Sequence, residues 1–251
     1  MARFLCIVLL VIFSTVTMIQ ADENAEHGEL LSKYYRLEKP AGTGPFPAVI
    51  MVSGCSGFDA EFGKKSYNNV QKKLVEFGFA TLRVNYLAVR NIKNCLEVTS
   101  NAVADDICIA AEYLNQQSFV KKASINIIGW SYGGASAFRA LRGTGSREPA
   151  QVDAVVAYYP YCVAARHWNS EVPVLVLHGA IDNVATPTSC EYTFSRLGHP
   201  ERLTFRLYEN AHHCFDFSEL PTEMEYQFGT LGYNEKAAKA AWIEVANFLK
   251  R

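Results

Sequence analysis

The chain has almost no net charge. Its 24 Lys and Arg stand against 25 Asp and Glu, giving −1 at pH 7 over 251 residues. No block of like charge interrupts that balance. Nucleic acid and anionic membrane surfaces are bound through a positive footprint, so neither is expected as a partner. Internal repeats and low-complexity tracts are missing, which excludes solenoids and biased linkers. None of the seven cysteines falls in a paired CxxC spacing, so no zinc site is expected, and nothing calls for a metal or an organic cofactor. Long apolar runs are scarce too. The one that stands out is "FLCIVLLVIF", shorter than the roughly 20 residues that span a bilayer.

That run follows Arg3 and leads through "STVTMIQA" into the acidic "DENAEH". A positive start, an apolar centre and a small residue at the cut make the order of a secretory signal peptide. Residues 1–21 are expected to be removed after Ala21, leaving one domain over residues 22–251. The mature protein is then exported, periplasmic or secreted, with no membrane association. Loss of the leader removes Cys6 and leaves Cys55, Cys95, Cys108, Cys162, Cys190 and Cys214. An even number in an exported chain predicts disulfides, although counting alone does not choose the pairs.

Hydrophobic residues make up 49% of the chain, and much of that sits in short runs. "AVIMVS" (48–53), "ATLRVNY" (80–86), "SINIIG" (124–129), "DAVVAYYP" (153–160), "VPVLVLHG" (172–179) and "LTFRLYE" (203–209) are nearly continuous in apolarity. That pattern predicts strands covered on both faces. "LLSKYYRLEKP" before them suits a more exposed, antiparallel first strand. Helical spacing lies between the runs. Val70, Leu74 and Phe77 share one face of a helix that Gly78 ends, and Val103, Ile107, Ala110, Ala111 and Leu114 recur at threes and fours. "YGGASAFRALRG" and "TSCEYTFSRLG" are further helices, and Ala238, Trp242, Val245 and Leu249 mark the stripe of a last one. Strand and helix alternate, which predicts an α/β fold with a doubly wound, mostly parallel sheet flanked by helices. Ligands in such sheets bind beyond the carboxyl ends of the strands.

At one such end stands Gly129-Trp130-Ser131-Tyr132-Gly133. It is a G-x-S-x-G turn, preceded by a strand and followed by a helix, which is the context a nucleophile elbow requires. Small residues let the backbone bend sharply and present Ser131 as the candidate nucleophile. The Tyr132 N–H opens the following helix and aims a donor at developing negative charge. A hydroxyl needs a base, and in this fold the order is Ser, then Asp or Glu, then His. His167 lies in an irregular stretch, His178 ends a strand and His199 precedes a proline. Only His212 and His213 sit in a late loop beyond a strand. Asp182, in the loop one strand earlier, is the candidate acid. A second oxyanion donor is expected from "SGCSGFD", with the Cys55 N–H as the candidate.

"VSGCSG", "IIGWSYGG", "VLHGAIDNVATPTSC" and "YENAHHCFD" together resemble the dienelactone hydrolase family of α/β-hydrolases, from about residue 30 to the C-terminus. Members often read A-x-H-x-F-D at the catalytic histidine, and Ala211, His213, Phe215 and Asp216 fit that frame. The resemblance thus selects His213 over His212. It also implies a bond between Cys162 and Cys190, since similar exported members carry cysteines after "YYP" and after "TP". Cys95 with Cys108 is expected as a second pair, with Cys55 and Cys214 either free or bridged. The name-giving enzymes use a cysteine nucleophile where this chain has Ser131, and a histidine where it has Ser53. The activity implied is hydrolysis of a small-molecule carboxylic ester. A peptidase or acetyl-carbohydrate esterase, or a binding protein with a silent site, are the alternatives. Trp130, Tyr132, Tyr86, Trp168, Tyr158 and Tyr159 are candidates to line a pocket.

Overall fold

The computed structural model describes residues 26–166, 168, 171–198 and 200–250. The leader expected at residues 1–21, with Cys6, lies outside the described residues, as do His167 and His199. The six apolar runs form the parallel strands β2 (Phe46–Val52), β3 (Ala80–Val84), β4 (Val120–Trp130), β5 (Ala154–Tyr158), β6 (Val174–Gly179) and β7 (Leu203–Tyr208). β1 (Arg36–Glu38) pairs antiparallel with β3 and is fully exposed. The sheet order is β1-β3-β2-β4-β5-β6-β7.

Continuous apolarity is explained by what covers each face. Ile50, Val52, Leu82, Ile127, Val155 and Val176 point to one core. Their strand neighbours Val49, Met51, Ile128, Val156 and Leu175 point to the other. Four helices cover the first face: α1 (residues 26–32), α3 (Ser100–Asn115), α4 (Tyr132–Arg142) and α5 (Pro187–Phe194). The second is covered by α2 (Lys64–Glu76) and α6 (Glu235–Leu249). Fully burying each such Val, Leu or Ile side chain is worth about 2 kcal/mol. Thr99 starts α3 by accepting from the Ala102 N–H at 3.2 Å, and Asn234 starts α6 by accepting from Ala237 at 3.0 Å. Each such cap is worth about 1 kcal/mol.

Two helix faces differ from the sequence expectation. α2 turns Tyr67, Gln71 and Leu74 inward, whereas Phe77, just past the last turn, is 42% exposed. It stacks on Trp242 at 5.7 Å instead. α6 buries Ala237, Ala241, Val245 and Phe248. Small alanines let the helix approach the sheet, and that turns Ala238 and Trp242 to the side. A further hairpin, β8 (Met224–Tyr226) with β9 (Gly229–Leu231), was not evident from the sequence pattern.

The strand ends that carry the site are tied by one carboxylate. Trp130, closing β4, donates its indole N–H to Asp216 at 2.9 Å, and Tyr159, just past β5, donates its hydroxyl at 2.6 Å. Asp216 belongs to the loop after β7, so three strand ends meet on it. Burial outweighs these two hydrogen bonds and pushes its carboxyl up from 3.8 to about 6. A carboxyl raised on folding stabilises fully below its unfolded value and loses that contribution as pH rises through the folded one. Relative to Asp216→Asn, wild type is expected to lose about 1–2 kcal/mol of stability between pH 4 and pH 7, allowing for solvent screening. Urea unfolding of both proteins across that range measures the difference.

Candidate active site

Four loops leave the carboxyl ends of β2, β4, β6 and β7 at one rim of the sheet. At β4 the chain must reverse from strand to helix within one residue. Ser131 makes that turn with φ 48° and ψ −112°, a left-handed conformation that a side chain adopts at a cost of about 1–3 kcal/mol. Its N–H is held by the Tyr158 carbonyl at 2.8 Å and its own carbonyl by the Ala135 N–H at 3.0 Å. Only glycine fits beside it. A Cβ on Gly133 would stand 2.3 Å from the Val52 carbonyl oxygen, and one on Gly129 would stand 2.6 Å from that of Gly133.

The loops after β6 and β7 interlock in the same manner. A Cβ on Gly179 would lie 2.2 Å from the Ala211 carbonyl oxygen, which also accepts the Ile181 N–H at 3.2 Å. That contact sets Asp182 against His213. Asp182 Oδ1 accepts from the N–H groups of Val184 and Ala185, both at 2.9 Å. Its Oδ2 faces His213 Nδ1 at 2.7 Å. Burial pushes this carboxyl up, but the facing His213, its hydrogen bond and nearby His178 outweigh burial and hold it below the ordinary carboxylate value. An ionised carboxylate only accepts, so Nδ1 carries a proton, and in the neutral ring the lone pair is then on Nε2. His213 Nε2 stands 3.0 Å from Ser131 Oγ. Ser131, His213 and Asp182 are 8%, 4% and 3% exposed, so water screens the array little.

His178 also approaches Asp182, with Nδ1 at 3.7 Å from Oδ2. Burial lowers its pKa by more than the neighbouring Asp182 carboxylate raises it, which favours the neutral ring. His212 points elsewhere: its Nδ1 is buried without a partner.

The loop after β2 passes directly beside the serine. A Cβ on Gly54 would lie 3.6 Å from Ser131 Cβ. Two phenols clamp this loop. Tyr67 accepts the Gly54 N–H at 2.9 Å, and Tyr86 donates to the Gly54 carbonyl at 2.7 Å. That carbonyl and the Cys55 N–H belong to one planar peptide, so holding the oxygen aims the N–H away from Tyr86. The N–H groups of Cys55 and Tyr132 are not used by the backbone hydrogen bonds of their loops.

Cysteine pairing departs from one expectation. Cys95 is bonded to Cys55, not to Cys108, and their Cα atoms are 4.6 Å apart. The single turn Cys95–Glu97 sits over the Cys55 loop and donates its Cys95 N–H to the Cys55 carbonyl at 3.0 Å. Cys108 instead lies inside α3, near the Glu148 carbonyl at 3.6 Å. Cys162 and Cys190 are joined, with Cα atoms 4.8 Å apart. Cys214 is a buried free thiol whose pKa burial raises strongly.

Ser131 and His213 open into a cavity of about 280 Å³. Its walls are mostly apolar. Trp130, Tyr132 and Tyr159 line it as expected. Tyr86, Tyr158 and Trp168 do not and are buried in the two cores. Tyr226 and Phe228 from the β8–β9 hairpin, Phe62, Phe217 and Arg139 were not singled out in sequence. The signal that could have found the hairpin is the alternation of the short "MEYQFGTL" stretch. No group of three or more metal-binding side chains exists among the described residues. No helix there is long and apolar enough to cross a membrane.

Solved structures share this architecture. A candidate dienelactone hydrolase from Klebsiella pneumoniae superposes with a TM-score of 0.69 at 18% identity, covering 86% of this chain and 92% of its own. Esterase 2 from Thermogutta terrifontis, phosphoramylated by tabun, gives 0.61 at 16% identity over 85% and 87%. A Butyrivibrio proteoclasticus protein with ferulic acid bound gives 0.62 at 16% over 86% and 95%. At these identities the likeness establishes the fold. No curated protein matches the chain significantly in sequence. The dienelactone hydrolase family, however, matches residues 35–251, and on that match the chain belongs to the dienelactone hydrolase family.

Proposed function

We propose that the chain is an exported serine hydrolase of carboxylic esters, working as one domain over residues 22–251 through Ser131, His213 and Asp182. One observation carries this reading: the unbroken line from Asp182 Oδ2 through His213 to Ser131 Oγ, with steps of 2.7 and 3.0 Å. His213 Nε2 takes the hydroxyl proton as Ser131 Oγ attacks the ester carbonyl. Asp182 balances the imidazolium that forms. The N–H groups of Cys55 and Tyr132 receive the oxyanion, each worth about 3 kcal/mol at the transition state. His213 returns its proton to the leaving alcohol. Water then enters and gives a proton to His213 as its oxygen attacks the acyl carbon, and the acid leaves as His213 passes that proton back to Ser131 Oγ. No step draws on a metal or organic cofactor. The fully apolar character of most of the cavity wall favours small esters with apolar arms. Two disulfides and the leader-like N-terminus support export.

Ser131→Ala is expected to lower kcat on short chromogenic esters by at least about ten-thousandfold. It should also abolish labelling by a fluorescent phosphonate. Folded wild type that takes no label and cleaves neither esters, peptide anilides nor acetylated sugars would favour the silent binding protein.

Tyr86→Phe removes the hydrogen bond to the Gly54 carbonyl while keeping the ring. It is expected to cut kcat about tenfold with little change in KM, since the loosened peptide matters most when charge develops on the oxyanion. Steady-state kinetics on the same esters, beside a thermal melt to register any general loss of folding, make the comparison.

A further inference from the structure

Away from Ser131 the cavity runs along α4. Ser131, Ala135 and Arg139 succeed one another at four-residue spacing, and all three line it. Such a row lies along one helix face. Eight residues of rise separate Ser131 from Arg139 by roughly 12 Å, shortened as the arginine leans back toward the helix start. Much of the rest of the lining is apolar, Tyr132, Val163, Ala164 and Leu96 among it.

Arg139 is the one Arg, Lys, Asp or Glu among the described residues that line this cavity. Its guanidinium is poorly matched. Nη1 reaches only the Asn101 amide oxygen at 3.4 Å, and Nε is buried with no partner. Arg90, Arg147 and Arg206 each face a carboxylate, whereas Arg139 pairs with none among the described residues. A half-buried planar cation at the edge of an apolar cavity, left with one unmet buried donor, is complementary to a carboxylate, which accepts from the guanidinium fork through two oxygens. Ser100, the first residue of the long helix α3, lines the same end of the cavity and brings the positive end of that helix toward it.

We propose that Arg139 is a specificity-determining residue that receives a carboxylate carried on an apolar arm of the ester, about two helical turns from the scissile carbonyl. The proposal rests on the hydrolase reading above and names its substrate class: half-esters of medium-chain dicarboxylic acids, or acyl esters of ω-hydroxy acids. The apolar walls take the methylenes, Ser131 meets the carbonyl, and Arg139 fixes the far end.

Two matched pairs test it. On the acyl side, para-nitrophenyl suberate is compared with para-nitrophenyl octanoate. On the alcohol side, ω-acetoxyoctanoate is compared with octyl acetate in a pH-stat. Wild type should favour the charged member of at least one pair by tenfold or more in kcat/KM. Arg139→Gln should bring that ratio down about thirtyfold, the size expected for losing hydrogen bonds to a charged group. Arg139→Lys should restore part of it, because charge without the fork recovers attraction but not the paired geometry. A wild-type preference for the neutral member of both pairs, or a charged-to-neutral ratio that Arg139→Gln leaves unchanged, overturns the proposal. If no ester of either kind is cleaved, the hydrolase reading fails instead. Calorimetric titration with suberate then decides the site: binding at least tenfold weaker in Arg139→Gln supports it, and equal binding or none removes it.

Discussion

Everything at the rim depends on backbone meeting backbone without side chains between. Gly133 lies so close to the end of β2 that a Cβ would stand 2.3 Å from the Val52 oxygen. The elbow and the neighbouring loop therefore share one surface. Gly179 meets Ala211 in the same way and joins the acid loop to the histidine loop. Four loops, separated by helices in the chain, are drawn together by two such approaches. The side-chain distances at Ser131, His213 and Asp182 are consequences of that closeness.

The polar groups at the rim are settled by their surroundings. Asp182 keeps its charge because donors and an imidazole meet it on both oxygens. His178 is shifted toward the neutral ring because burial outweighs the same carboxylate at a longer distance. Asp216, a few residues from His213, is raised by burial even with two donors on it. Three titratable groups in one region are thus shifted in different ways, by burial, neighbouring charge and hydrogen bonds. The strained φ of Ser131 is maintained by the surrounding strands, whose burial gain far exceeds its cost.

How much of this was legible in the sequence follows from how local each signal is. Strands buried on both faces announce themselves as apolar runs, so β2 to β7 were evident. The G-x-S-x-G turn carries its own stereochemical logic in five residues. Asp182 was found from its place in the strand order, but His213 was separated from His212 only by the family resemblance. Contacts between distant segments left no such trace. Nothing near Cys55 in the chain points to Cys95, since their pairing depends on a single turn folding over the loop. Tyr67 and Tyr86 reach Gly54 from different elements, and Arg139 enters the cavity from a helix most of whose other residues are small or buried. In the α6 stripe Val245 and Leu249 are buried as expected, while Ala238 and Trp242 gave way to Ala237 and Ala241, because alanines, weak as hydrophobic markers, are the residues that permit close packing.

The β8–β9 hairpin is held to the loops of the site: Asn183 Oδ1 accepts the Thr230 N–H at 2.7 Å, and the His213 carbonyl accepts the Gly232 N–H at 3.0 Å. It pairs with itself and touches the rest of the fold's strand network through the isolated bridge between His213 and Leu231. Yet Tyr226 and Phe228 supply part of the cavity wall. Part of the wall's contour is thus written in a small appendage, while Ser131, Asp182 and His213 stand on loops that leave the sheet. A change of side chain at Tyr226 or Phe228 would alter the shape of the cavity while the sheet that carries those loops stays as it is.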